Sequence, residues 1–229
     1  MFWLVIIGTM LLSLLAAWHV KSVYRRHSQG TVASGLTGGE AAHRILRAAG
    51  IRDVEIAHAD GMLGDHYDPL HKRLVLSSDN FYGRSPAALG VAAHECGHAI
   101  QHQLAYKPLH WRMAAVGITT YANYVVMLMP MLFMFTNLIQ PLTGVLLMAV
   151  AWGVIMLFNL VTLPVEFDAS RRAKAILADM GMIAPGAETI AVRKVLDAAA
   201  FTYVAALITS LVYFLWYLLP LLTGGRSRE

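Results

Sequence analysis

Charge is scarce in this 229-residue chain. Asp, Glu, Lys and Arg make up 14% of it, about half the share of a soluble globular domain. From Met113 to Val165 there is no charged residue at all. That run of 53 residues excludes an ordinary soluble domain. With 57% hydrophobic residues and a mean hydropathy of +0.55, it points to an integral membrane protein. Cysteine is nearly absent. Cys96 stands alone, which excludes an internal disulfide and leaves the redox compartment unread. The first apolar run lacks a basic leader and a small-residue cleavage site, so it does not read as a signal peptide. There is no internal repeat and no low-complexity segment. The net charge of +4 would suit a nucleic-acid partner, but the basic residues form neither a motif nor an amphipathic stripe, and that class is set aside.

The apolar segments come first among what is present. Residues 2–18 read as a short, retained transmembrane helix, just long enough at ~1.5 Å per residue to cross the hydrocarbon core. The uncharged run is too long for one crossing and right for two, at 113–136 and 142–165, with a turn near Asn137–Pro141 and a candidate kink at Pro130. A fourth span fits 201–222. Two polar segments remain, 19–112 and 166–200, and all ten histidines fall in the first. Of the 18 basic residues, eleven lie in 19–112 and five in 166–200. With four spans both segments share one side, and the excess of positive charge predicts that side to be the cytoplasm.

Within 19–112 the local signals are specific. Thr37 to Glu40 is a capping box that starts a short helix closed by Gly50. Residues 53–58 and 73–78 read as strands, separated by a turn-rich stretch. Ser85 and Pro86 form an N-cap and first-turn proline for a helix running through AALGVAAHECGHAIQHQ. These elements predict a small α+β unit carrying HECGH at 94–98 in mid-helix.

On a helix, positions four apart share a face, so His94 and His98 can grip one zinc ion. Glu95 points about 100° away, free to act on a water instead of serving as a ligand. Two solvated surface histidines would give the same letters, but the capped helix and its apolar flank argue for a zinc site. Ala92, Ala93, Gly97 and Ala99 let another element or a substrate approach closely. The HExxHxxGxxH spacing would need histidine at 104, where Leu104 stands, and His102 has rotated off the ligand face. Glu166 is the better third ligand, as the first charge after the long uncharged run. Asp168, two residues on and facing the other way, competes with it. Cys96 reads as a small buried residue. His43, His58, His71 and His110 read as surface residues.

Taken together, TGGEAAHRIL, DHYDP at 65–69, AAHECGHAIQ and LPVEFDASRRA resemble the YugP-like family of membrane zinc metallopeptidases over most of the chain. The resemblance extends to HtpX-like proteases, in which a glutamate on a later helix completes the zinc site. It implies a gluzincin-type site with one Zn2+ held by His94, His98 and Glu166, with Glu95 catalytic. That group often places an aspartate four residues after the glutamate, orienting a zinc histidine; here the position is Ser170. Tyr67 or His66 would be an oxyanion donor, although Gly64-Asp65 and Asp68-Pro69 favour a turn there. The strand Arg73, Leu74, Val75, Leu76, Ser77 and Ser78 is expected to be a substrate-docking edge.

The expected protein is therefore mainly α: about four transmembrane helices and a small α+β zincin-like catalytic unit, built from 19–112 and from 166–200 with Glu166. It is a zinc metalloendopeptidase in a bacterial plasma (inner) membrane, cutting protein or peptide segments near the cytoplasmic face of the bilayer. Two other readings are an intramembrane zinc protease and a non-catalytic zinc-binding scaffold. The first needs HECGH inside the bilayer, on a helix that also carries His102. The second needs a fourth protein ligand, because structural zinc is normally closed by four.

Overall fold

The computed structural model describes residues 2–60, 64–136 and 139–223. Asn137 and Leu138 of the predicted turn, and the tail with Arg226 and Arg228, lie outside the described residues. The chain divides into two compact units: 16–110 with 164–202, and 1–15 with 111–163 and 203–229.

The second of these is helical. It is built from parts of α1 (Phe2–His27), α5 (Lys107–Phe135), α6 (Pro141–Asp179) and α7 (Ala187–Thr223). All four helices are long and apolar enough to cross a membrane, matching the expected number of spans. Their outward faces carry large apolar residues such as Tyr121, Met127, Val150 and Leu157. Inside, small and polar residues hold the helices together, as lipid-embedded helices require. Trp152 stacks on Tyr213 at 4.4 Å. The Tyr213 hydroxyl lies 3.1 Å from Thr9 Oγ1, and Asn159 Nδ2 donates to Ser210 Oγ at 3.0 Å. The helices outrun the apolar segments. α1 continues to His27 and α6 continues past Glu166 to Asp179, because nothing in those stretches caps or breaks a helix.

The other unit is α+β. α2 (Gly38–Ala48) opens with the predicted capping box: Thr37 Oγ1 accepts from the Glu40 amide, and Glu40 Oε2 accepts from the Thr37 amide at 2.8 Å. Gly50 follows its end at φ +75°, a conformation that costs glycine little. Three strands come next: β1 (Glu55–Ala59), β2 (His66–Asp68) and β3 (Arg73–Ser77). β1 pairs parallel to β3 and β2 antiparallel to β3, giving the order β1-β3-β2.

This order corrects two expectations. His66 and Tyr67 belong to a strand and not to a turn; the turn begins only after Asp68, whose carboxylate accepts from the Leu70 and His71 amides. And β3 is the central strand, paired on both sides, so residues 73–78 offer no free edge for a substrate; Ser78 already starts the short helix α3 (Ser78–Phe81).

α4 (Pro86–Gln103) starts as predicted, with Ser85 Oγ accepting from the Ala88 amide and Pro86 in the first turn. The core gathers Ile45 and Leu46 of α2, Leu74 and Leu76 of β3, and Leu89, Ala92, Ala93 and Cys96 of α4. Ala173 and Leu177 of α6 complete it with Val192 and Leu196 of α7. Each buried leucine or isoleucine stabilises the unit by roughly 1.5–3 kcal/mol of transfer free energy.

Candidate metal centre

The site is built on the crossing of α4 and α6. Gly97 sits at the contact. A Cβ there would lie 2.8 Å from the carbonyl oxygen of Ala169 and 3.1 Å from its Cα. Only a glycine lets the two backbones approach this closely. The small residue noted in the motif thus serves a helix and not a substrate.

The close crossing brings Glu166 onto the histidine pair. Glu166 Oε2 lies 3.3 Å from His94 Nε2 and 3.7 Å from His98 Nε2. The three candidate ligand atoms lie within 4.8 Å of one another and form the group among the described residues that could hold a metal ion. Ligands about 2.0–2.1 Å from a tetrahedral zinc lie roughly 3.3–3.4 Å apart. The observed spacing and the donor set of two imidazoles and one carboxylate fit that ion. Glu166 is 1% exposed, and a carboxylate held so far from water needs a cationic partner.

Each histidine turns its other ring nitrogen to a fixed partner. His94 Nδ1 lies 3.1 Å from Ser170 Oγ, so the serine occupies the orienting position that the resemblance assigns to an aspartate. His98 Nδ1 lies 3.0 Å from Gln101 Oε1. Gln101 is fully buried, and sequence reasoning missed it. Its spacing of three from His98 is the one signal that could have drawn attention to it, since i and i+3 share a helix face. Asp168 does not join the metal-holding group. Its oxygens accept from Gln101 Nε2 at 3.0 Å, from Arg172 Nε at 2.6 Å and from Arg171. Glu95, between the two histidines in sequence, is 7% exposed and stands outside the ligand group.

Tyr67 and His66 take different places. The Tyr67 hydroxyl on β2 hydrogen-bonds His102 Nδ1 at 2.9 Å, one helical turn beyond His98. Burial, reinforced by the Asp53 and Asp68 carboxylates, pushes the Tyr67 hydroxyl up to about 12. Burial, with the charges of His110 and Lys72, lowers His102. The pair is therefore a neutral phenol on a neutral imidazole. A cavity of about 190 Å³ opens beside it, lined by Asp53, Tyr67, Lys72, Ala99 and His102 among others. His66 is exposed and bonds the Gly64 carbonyl oxygen through Nδ1 at 2.9 Å. Of the remaining histidines, His71 pairs with Asp68 at 2.7 Å. His58 packs against the rings of Phe81 and Tyr82. Cys96 is buried, as expected.

Residues 2–222 match a family described as "Putative neutral zinc metallopeptidase". A relative from Bacillus subtilis (strain 168), "Putative membrane protease YugP", is 41% identical over 213 residues, which is 93% of each chain. No solved structure matches the chain. Because the family match runs from α1 to the end of α7, and a membrane protein shares two residues in five over almost the same length, the chain belongs to the neutral zinc metallopeptidase family.

Proposed function

We propose that the chain is a membrane-embedded zinc endopeptidase in which His94, His98 and Glu166 hold one zinc ion and Glu95 moves the protons. The observation that carries this reading is the convergence of those three ligand atoms within 4.8 Å, with an unused carboxylate on the same helix. When bound, zinc supplies a Lewis acid that lowers the pKa of water towards ~7 and polarises a carbonyl. Glu95 accepts the proton of the attacking water as its oxygen adds to the scissile carbonyl carbon. It returns that proton to the nitrogen as the C–N bond breaks. Three protein ligands favour this over a structural zinc scaffold, which would use four.

The substrate enters as an extended strand along β2. β2 is an edge strand, it is tied to α4 through the Tyr67–His102 bond, and an edge strand can pair with a peptide by main-chain hydrogen bonds. Substrates are protein segments near the cytoplasmic face of a bacterial plasma membrane. Two features support that placement: the two polar segments hold most of the basic residues, and Glu166 is the first charge after the uncharged run on the same continuous helix.

Two measurements test the reading. Protein purified in detergent is expected to carry one zinc per chain and to cleave an unfolded protein. A strong chelator should abolish cleavage, and added zinc should restore it. Cleavage that survives complete metal removal would refute the zinc mechanism. For orientation, Ala187→Cys in intact cells is expected to resist a membrane-impermeant maleimide until the cells are opened. The native Cys96 is buried and gives no background. Labelling from outside intact cells would reverse the orientation.

A further inference from the structure

We propose that Gln101 and Asp168 form a buried relay that fixes the proton of His98 on Nδ1, so that Asp168 controls metal affinity without touching the metal. This rests on His98 being a ligand, as set out above. The argument is one of hydrogen-bond inventory. The Gln101 amide nitrogen has two hydrogens, and both are used: one on the Val165 carbonyl oxygen at 2.8 Å, the other on Asp168 Oδ2 at 3.0 Å. Both partners are pure acceptors, which rules out the flipped amide: its oxygen would then face two acceptors. Gln101 Oε1 is thereby committed to the side facing His98, 3.0 Å from Nδ1. An oxygen there can only accept, so Nδ1 carries a hydrogen and Nε2 is the nitrogen that faces Glu166 and any ion held there.

Asp168 and the Val165 carbonyl together hold the direction of the chain, and Asp168 brings the charge. Arg172 donates to the same Oδ2, and Arg171 donates to Oδ1, which holds Asp168 as an acceptor on every side the structure describes. His94 has no equivalent device, because a hydroxyl such as Ser170 Oγ can donate or accept and leaves the tautomer open. The two histidines are therefore unequal: His98 is pre-set as a ligand and His94 is only steered. Outer partners of this kind are worth about 10–100-fold in metal affinity.

The test is zinc affinity, measured by competition with a chromophoric chelator on the purified full chain. The decisive variant is Asp168→Asn, which keeps size and shape. Asparagine at 168 takes the charge off the end of the relay, so Gln101 holds its oxygen less firmly on His98 Nδ1. The expected result is an about 10–100-fold loss of zinc affinity, accompanied in the zinc-loaded protein by a change in the His98 Nδ1–H shift. Ser170→Ala should lose less than Asp168→Asn. Parent-like affinity and an unchanged Nδ1–H shift in Asp168→Asn would overturn the relay. His98→Ala separates the two claims: if it binds zinc as the parent does, the ligand assignment itself fails, whereas if it loses zinc while Asp168→Asn does not, only the relay fails.

Discussion

Replacing Glu95 by glutamine is expected to lower peptide hydrolysis by ~10²–10⁴-fold, the usual worth of a positioned acid–base group, while one zinc per chain stays bound. The two outcomes separate because, on the proposed assignment, the ligand atoms come from His94, His98 and Glu166, and Glu95 contributes none of them. Glutamine keeps the volume of a side chain that is almost wholly buried, so the fold has no reason to change. What it loses is the ability to take a proton from water and return it to the leaving nitrogen. Zinc stoichiometry and turnover would be measured on the same preparation. Turnover within tenfold of the parent would remove Glu95 from the mechanism. Loss of zinc together with activity would make its role structural.

The second large effect is expected at Gly97. A methyl group there must displace the Ala169 backbone, because its carbon would sit 2.8 Å from a main-chain oxygen that cannot rotate away. Gly97→Ala is expected to cost ~1–3 kcal/mol of stability through overpacking. It should also lower zinc affinity tenfold or more, because pushing α6 back carries Glu166 away from both histidines. Gly90, two turns earlier on α4, provides the control. A Cβ at 90 would meet Val192 Cγ1 at 3.5 Å, an ordinary contact. Gly90→Ala is expected to bind zinc normally and to gain up to ~1 kcal/mol from helix propensity. Thermal melts and zinc titrations of both variants check this. Equal behaviour of the two would show that the α4–α6 approach does not set the ligand spacing.

What could be read in advance follows the range of the interactions. The capping box at Thr37 and Glu40, the Ser85-Pro86 start of α4 and the His94–His98 face depend on residues three or four apart, and sequence displays them directly. The burial of Cys96 follows from its place on the helix. The strand order does not follow from anything local. Arg73–Ser77 has the alternating pattern of a strand whether it lies at an edge or in the centre, and the parallel pairing with Glu55–Ala59 leaves no local mark. His66–Asp68 is hidden by its neighbours, because Gly64, Asp65 and Pro69 are turn formers flanking only three strand residues. Gln101 is invisible for a different reason: an amide in a polar-looking HAIQHQ run declares itself only when the partners 64 and 67 positions away are known. Asp168 and Glu166 are both in view as ligands. The choice between them needs the side chains, which show one facing the histidines and the other held by Gln101 and two arginines.

The centre is stitched across a long stretch of sequence: Ser170 reaches back 76 positions to His94, and Glu166 stands 68 positions after His98. During synthesis at ~5–20 residues per second, the histidine pair is therefore made about 3–14 s before its carboxylate partner. The whole uncharged run from Met113 to Val165 is made in that interval. On the proposed assignment, a nascent or truncated chain that stops short of α6 carries the motif but not the ligand set. A peptidase wired this way stays silent while it is being threaded into the membrane, and the arrival of zinc reports that both middle helices have been completed.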